Sequence, residues 1–550
     1  LQKVKVLDPA CGSGAFLVKV YDYLLAENMR VNEIITELQP EKYDLFTQEQ
    51  YIRSLLENNI YGVDINEESV EITKLSLWLK TAVKGKKLTN LKDNIKCGNS
   101  LIDDPDIAGE KAFSWDQEFP EIMGSGGFDV VVGNPPYGAE LSKNDQIHLS
   151  RKFYIGSTDT AILFIKLSYG LIKTNGFLGF IIPKAFTFSS NYKKIRSFVW
   201  DDILGIVDCR KVWKEVKLEQ IIINMKKKAK SKEYLSSVLI QNSIDPLNYV
   251  GKETAKKFGF FLNGVSKREI EIGEKIYSAE LRLNDIATNR RGAGLQKHVT
   301  ETGDLPVIGG AEIGRFGFRG KKGRIKKDDV TKEQAYISEN SVLAQNIVAH
   351  IENPIDHIKI ISCVPPDKEP VILDTINQIS IENDYSNYYV WCLFNSNLIN
   401  WYSYRFIFAK AIRTMHFDNA ITKRIPVKKL SDSEQSMFIE KAKFKLSLNK
   451  ELQEKAQKTL SFLQSEYGLK KIPKKLKTFW ELDFPAFQKA LKLKKRSLKE
   501  KKDLMEFFDA EKAELSELKQ EIDRQDAIID EMVFDLYELD EKERRIVKNM

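Results

Sequence analysis

Cysteine and histidine are scarce, with five of each in 550 residues. The cysteines (Cys11, Cys97, Cys209, Cys363 and Cys392) are scattered, with no C-x-x-C pair, and the histidines show no ligand spacing. That usage argues against a disulfide framework and against a metal site, and it fits a reducing cytoplasm. No stretch approaches the roughly 18 apolar residues that a membrane span needs. The opening Leu-Gln-Lys-Val-Lys-Val-Leu-Asp has none of the regions of a signal peptide. It also lacks an initiator Met and begins at once as a strand, so natural sequence is expected upstream of Leu1. No solenoid-type repeat is present.

What is present describes a folded, multi-domain protein. Hydrophobic residues make up 42% and charged residues 30%, and the formal net charge of +7 permits a polyanionic partner without requiring one. The length predicts two to four domains. Residues 1–228, within a first domain read as 1–250, alternate short β-rich runs with amphipathic segments, the pattern of a parallel sheet flanked by helices, an α/β class. Expected strands are Val4–Asp8, Ile60–Ile65, Phe128–Gly133, Phe177–Ile182, Leu204–Asp208 and Gln220–Met225. Expected helices are Ala15–Glu27, Glu68–Ala82 and Ala161–Lys173, with a helical insertion over Asn28–Asn58. The charged run Lys226–Glu233 reads as a break, after which one more strand has room to form. Residues 260–427 turn Gly-, Asn- and β-rich and read as a separate α+β domain. Residues 428–550 are rich in Lys, Glu, Leu and Phe at helical spacing. There Leu498, Phe508, Leu515, Leu518, Ile522, Ile529 and Val533 predict helical hairpins or a short coiled coil.

Two motifs carry chemistry. Asp8-Pro9-Ala10-Cys11-Gly12-Ser13-Gly14 lies between a strand and a helix, where Gly12 and Gly14 allow a sharp turn and leave room for a ligand. A dinucleotide site would want G-x-G-x-x-G/A, yet Leu17 holds the last position and no strand-end acid follows about 20 residues on. Asp64 instead closes a later strand, where a carboxylate can accept from both hydroxyls of a ribose and Ile65 can pack on a purine.

The second motif, Asn134-Pro135-Pro136-Tyr137, follows the apolar strand Phe128–Gly133. An exocyclic amine on a purine is a poor nucleophile because its lone pair is delocalised. The Asn134 side-chain oxygen and the Pro135 carbonyl can each accept one of its N–H groups, which favours a pyramidal nitrogen. Proline holds those acceptors rigidly, and Tyr137 can stack on the base.

With both motifs in this order, residues 1–228 resemble the catalytic domain of gamma-class adenine-N6 DNA methyltransferases of the TaqI type. Residues 260–427 resemble the target-recognition domains that follow it, and the C-terminal helices resemble the tails of Type IIG restriction–modification enzymes. The resemblance implies a Rossmann-like S-adenosylmethionine-dependent methyltransferase domain, then an α+β target-recognition domain and a helical C-terminal region. It implies that Asp8 and the Ala10 backbone hold the methionine end of S-adenosylmethionine in the Gly12/Gly14 loop. By the same carry-over Asp64 holds the ribose, Asn99 with Ser100 meets the adenine amine, and Pro136 lines the adenine ring. Many members carry Asp where Asn99 stands. The partner implied is double-stranded DNA whose target base is flipped out of the helix. Trp213 then stands on the far side of the base, or else is simply core. The family's upstream cofactor motif and the nuclease of Type IIG enzymes both precede the glycine loop, before this chain starts. Asp208 with Glu215 and Lys217 superficially offers a nuclease pattern, but that stretch is already accounted for by the methyltransferase sheet.

For DNA contacts the basic, glycine-spaced segment Arg315, Arg319, Lys321, Lys322, Arg324, Lys326 and Lys327 suits phosphates. Arg290 and Arg291 form a second basic pair. Asn346, His350, Arg413 and His416 could reach base edges, and nothing in the sequence selects among them. The Lys-rich runs Lys470–Lys477 and Lys492–Lys502 read as solvated helix faces or nonspecific clamps. Three rivals stay open: a protein-glutamine or RNA methyltransferase using the same Asn-Pro-Pro-Tyr grip, a cytosine-N4 methyltransferase, and a catalytically silent DNA-specificity subunit.

Overall fold

The computed structural model describes residues 3–38, 46–81, 89–210, 218–382, 384–412, 415–469, 471–491 and 497–549. They form two compact units, Leu1–Ile270 and Glu271–Met550.

The first unit is built on a nine-stranded sheet. Its strands are β1 (Val6–Asp8), β2 (Ile60–Asp64), β3 (Ile95–Cys97), β4 (Phe128–Gly133), β5 (Ile172–Pro183), β6 (Ile203–Arg210), β7 (Gln220–Lys226), β8 (Glu233–Ile240) and β9 (Ser243–Gly251). The spatial order is β3-β2-β1-β4-β5-β7-β6-β8-β9. β3, β2, β1, β4 and β5 run parallel, whereas β7 is antiparallel to both β5 and β6. The sheet is therefore rich in parallel pairs but not parallel throughout. Two strands, β8 and β9, follow the charged break, where the sequence left room for one, and they close the sheet as an antiparallel pair. The order reverses at β1, which has β2 on one side and β4 on the other. Ligand crevices open at the carboxyl ends of strands at such a point.

Helices α1 (Ala15–Leu38), α2 (Phe46–Asn58) and α3 (Glu67–Thr81) cover one end of the sheet. Helix α1 runs 24 residues, well past the expected end at Glu27. Leu17, Tyr21 and Leu24 of α1, Leu55 and Leu56 of α2, and Val70 and Leu77 of α3 pack with Val6, Ile60 and Ile95 in one buried cluster. A second cluster sets the rings of Tyr61, Trp115, Phe119 and Phe128 mostly edge to face, the arrangement that aromatic quadrupoles favour.

In the second unit, strands Ala287–Arg291, Ile376–Ile381, Ser341–Gln345 and Ser362–Cys363 form an antiparallel sheet in that order. A smaller sheet joins Gly323–Ile325, Leu305–Ile308 and Val371–Ile372. Helices Asp432–Glu466 and Leu498–Leu536 are 35 and 39 residues long and each starts with a serine capping box, Ser431 with Glu434 and Ser497 with Glu500. Lys445 meets Asp526, Lys455 meets Glu514 and Thr459 meets Glu511, so the two helices are antiparallel. Phe508, Leu515, Ile522 and Ile529, seven apart, are all buried, as is Val533, and Leu518 is half-buried. Leu498 departs from that pattern: at the first turn it is 87% exposed. No helix among the described residues is long and apolar enough to cross a membrane.

Candidate active site

β1, β2 and β4 end side by side at Asp8, Asp64 and Gly133, on the carboxyl edge where the strand order reverses. Asp8 is 1% exposed, and its Oδ1 accepts the Ala10 N–H at 3.1 Å. Burial raises its carboxyl to about 7; the charge of Asp64 adds to the rise and the Ala10 N–H opposes it. Gly133 makes room for this acid: a Cβ there would stand 2.7 Å from Asp8 Oδ1.

Asp64 is held from both sides. Its Oδ2 accepts the Gly12 N–H at 2.8 Å and its Oδ1 accepts the Asn66 N–H at 2.9 Å. Each oxygen keeps a further lone pair. Thr73 Oγ1 donates to the Gly12 carbonyl at 2.8 Å, tying the loop to α3. Gly14, at φ +80°, sits so close that a Cβ would lie 2.8 Å from Thr73 Cγ2. A Cβ on Gly12 would meet nothing within 4 Å, so the loop faces open space there. Ile65 is 54% exposed beside it. Asn99 Oδ1 accepts the Leu101 N–H at 3.1 Å, and Ser100 Oγ, buried, donates to the Pro9 carbonyl at 2.6 Å. Asp8, Ala10, Gly12, Gly14, Asp64, Ile65, Asn99 and Ser100 thus gather around one loop. The Ala10 N–H is occupied by Asp8, and Ser100 is a brace for the loop rather than part of its open face.

Asn134 follows β4 directly and is exposed, while Pro135 is buried and Tyr137 half-buried. Thr160 Oγ1 donates to the Pro136 carbonyl at 2.6 Å and accepts the Ala139 N–H at 3.3 Å, which fixes the turn. The Tyr137 hydroxyl lies against Asn134 Oδ1 and 3.1 Å from the Ile181 carbonyl, and Gln220 Nε2 donates to it at 3.3 Å. Burial pushes the Tyr137 phenol well above its ordinary range, so it acts as a proton donor. Its one proton has two acceptors in reach.

Thr160 and Gln220 escape a reading of the sequence. The signal for Gln220 is a glutamine, 4% exposed, opening the apolar strand Gln220–Lys226. Next to it lies a buried ion cluster: Lys184 Nζ is 2.9 Å from Asp208 Oδ2 and 3.4 Å from Glu219 Oε1. Burial alone would lower the Lys184 ammonium, but the two carboxylates outweigh it and hold it above its ordinary range. Trp213, Glu215 and Lys217 lie outside the described residues.

Residues 58–212 match the family described as Eco57I restriction-modification methylase, a span that runs from the end of α2 past β6 and includes Asp64, Asn99 and Asn134 through Tyr137. That stretch is an Eco57I-type restriction–modification methylase domain. Residues 431–533, which hold the two long helices, match a domain of unknown function, DUF8810. The chain is 31% identical over 215 residues to the Type II restriction enzyme and methyltransferase RM.Eco57I of Escherichia coli, covering 36% of this chain and 21% of that protein. It is 23% identical over 321 residues to the Type II methyltransferase M.VspI of Vibrio sp. (strain 343), covering 56% of this chain and 65% of that protein. The chain therefore spans less than two thirds of the length of either relative. It overlays the solved Type IIL restriction–modification enzyme MmeI with a TM-score of 0.55 at 13% identity, covering 82% of this chain and 66% of that one, a likeness of fold.

Outside the methylase domain, the basic residues expected at DNA divide into two groups. Arg290, Arg319, Lys321 and Lys322 are exposed. Arg291 is exposed too, with its guanidinium on the Asp374 carbonyl at 2.8 and 3.0 Å. Arg315 instead turns inward: Nε donates to Asn395 Oδ1 at 2.8 Å and Nη1 to Asp526 Oδ2 at 2.7 Å. Arg324 donates to the carbonyls of Gly303 and Asp304 at 2.7 and 2.6 Å. These two guanidiniums tie segments of the second unit together and are not turned outward with the exposed ones. His350 is also internal, with Nε2 3.1 Å from Asp356 and only 8% of its side chain exposed. Asn346 is buried, His416 is exposed, and Arg413 lies outside the described residues.

Proposed function

We propose that the protein is a site-specific DNA methyltransferase of a restriction–modification system, transferring a methyl group from S-adenosylmethionine to the N6 amine of an adenine flipped out of the duplex. The observation that carries this reading is the juxtaposition of an open glycine loop, braced on Asp64, with an exposed Asn134 held at the end of the neighbouring strand β4.

The residues fit such a cofactor. Asp64 offers free lone pairs at the end of β2 for ribose hydroxyls, and the exposed face of Ile65 offers an apolar surface for an adenine. Asp8, whose ionisation burial opposes, gains from a cationic neighbour. Asn99 and Pro136 complete the adenine side, and the Ala10 backbone the methionine side. When bound, S-adenosylmethionine supplies an electrophilic methyl on a sulfonium whose charge is lost on transfer.

The chain's own residues orient the nucleophile. Asn134 Oδ1 and the Pro135 carbonyl each accept one N–H of the adenine amine, which localises the nitrogen lone pair toward the methyl. The Tyr137 ring stacks on the base. As the amine arrives at Asn134 Oδ1, the Tyr137 hydroxyl leans on the Ile181 carbonyl, with Gln220 still donating to its oxygen. No dedicated base is needed before attack.

Residues 260–427 serve as the target-recognition domain, with Arg290, Arg291, Arg319, Lys321 and Lys322 toward the phosphates, and residues 428–550 brace it. The Eco57I-type match favours DNA over RNA or protein as the substrate. The test offers labelled S-adenosylmethionine with duplex DNA, RNA and a protein mixture in turn. Label in DNA alone is the expected result; label in RNA or protein, or in nothing although the cofactor binds, overturns the reading.

A further inference from the structure

A short chain of buried amides in the second unit ends on one exposed ring. Asn377, fully buried, donates Nδ2–H to Asn346 Oδ1 at 2.9 Å, and Asn346, 5% exposed, meets His416 Nδ1 through its own Nδ2 at 3.2 Å. In this orientation, of the side-chain atoms of Asn377 and Asn346, only Asn377 Oδ1 is buried without a partner among the described residues. Reversing both amides would strand the Asn377 NH₂, with two protons, in the same place, a larger unmet demand. His416 Nδ1 is therefore the acceptor, and the ring proton sits on Nε2.

The ring is also pinned by backbone. His416 forms a β-bridge with Ile347, the Phe417 N–H donates to the Asn346 carbonyl at 2.8 Å, and Asn289 Nδ2 donates to the Phe417 carbonyl at 3.0 Å. His416 is exposed, and its Nε2 has no protein partner among the described residues. A solvent-facing histidine ordinarily keeps its rotamers and both tautomers. Here buried amides, which carry a desolvation penalty, fix one of each. The surroundings suit a duplex: Ile347, the bridge partner of His416, is 58% exposed.

We propose that His416 is a specificity-determining residue whose Nε2–H donates to an acceptor on a base edge in the major groove, a purine N7, a guanine O6 or a thymine O4. Ile347 beside it offers an apolar contact of the kind a thymine methyl takes. The inference rests on the chain being a DNA methyltransferase and deepens that reading by naming where a base is read.

The test maps methylated adenines across the DNA of a host expressing the full chain, its His416→Ala variant or its Asn346→Leu variant. His416→Ala, at an exposed position, is expected to melt like the wild type and to relax the recognised sequence at one base pair, by about 5- to 50-fold in discrimination, with every other position kept. Asn346→Leu, which untethers the ring, is expected to relax that same base pair less. An unchanged sequence with uniformly slower methylation makes His416 a phosphate contact, and an unchanged sequence and rate makes it a surface residue; either result overturns the proposal. Absence of methylated adenine with the wild type sinks the methyltransferase reading and this proposal with it, and is seen before any substitution is compared.

Discussion

The Gly12 N–H and the Asp64 carboxylate meet at 2.8 Å although 52 residues separate them in sequence. The contact joins the loop after β1 to the end of β2, so one carboxylate shapes the glycine loop and, in the proposed reading, also faces the cofactor.

Replacing that carboxylate removes both roles. Asp64→Ala is expected to weaken S-adenosylmethionine binding by about 30- to 150-fold, the loss of about 2–3 kcal/mol of hydrogen bonding to a charged acceptor. Titration calorimetry reads it directly, and Asp64→Asn should fall between the two. An unchanged affinity in Asp64→Ala would remove Asp64 from the cofactor site.

Asp8 makes binding and stability depend on pH in opposite directions. In the folded chain its carboxyl is raised to about 7 from the ordinary 3.8, first by burial. The folded protein thus keeps a proton that the unfolded chain gives up. The stability this confers is complete below about pH 4 and is lost as pH rises through about 7. A cationic cofactor favours ionised Asp8, so cofactor affinity should rise with pH up to about 7 and then level off. Melting curves and calorimetry between pH 5 and 8 check both slopes, and Asp8→Asn should flatten both.

The Tyr137 hydroxyl separates orientation from stacking. Tyr137→Phe keeps the ring and loses the contacts to Asn134, Ile181 and Gln220. Methyl transfer should fall about 3- to 10-fold, in line with one or two neutral hydrogen bonds, and Gln220→Leu should reproduce part of the loss. Tyr137→Ala also loses the stack and should fall a further 5- to 150-fold or so. Steady-state rates on duplex DNA measure all three; equal rates for Phe and Ala would deny the stacking role.

Arg315 and Arg319 lie four residues apart and should behave differently. Arg315→Ala breaks the contacts to Asn395 and Asp526 and should lower stability by about 2–3 kcal/mol. Arg319→Ala should leave the melting temperature unchanged and reduce the salt dependence of DNA binding by roughly one phosphate contact. Denaturant melts and binding at several salt concentrations separate them. The reverse pattern would contradict the placement of Arg315.

These residues also show what can be read from sequence. The Asp8–Gly14 loop, Asp64 and Asn134–Tyr137 are legible because each is a local string whose chemistry depends on its own neighbours and on a strand just before it. Strand β4 is legible to its ends because Phe-Asp-Val-Val-Val-Gly has few other uses. Direction is not legible. Arg315 and Arg319 are alike in composition and spacing, and only the fold turns one toward Asp526. Gln220, Thr160 and the Lys184–Asp208–Glu219 cluster act across 21 to 83 residues of sequence, so no local pattern announces them. The Gln220–Met225 strand is legible but its antiparallel direction is not, because strand polarity leaves no mark on an apolar run.

The central claim, that Asn134 orients the N6 amine of adenine for methylation, is tested most directly by one product analysis. Duplex DNA is incubated with radiolabelled S-adenosylmethionine and either the wild type or Asn134→Ala, then digested to nucleosides and separated. The account predicts label in N6-methyladenine with the wild type, reduced by several hundred-fold or so in the variant, while the variant still binds the cofactor. Label in N4-methylcytosine, or N6-methyladenine formed equally well by Asn134→Ala, would contradict it.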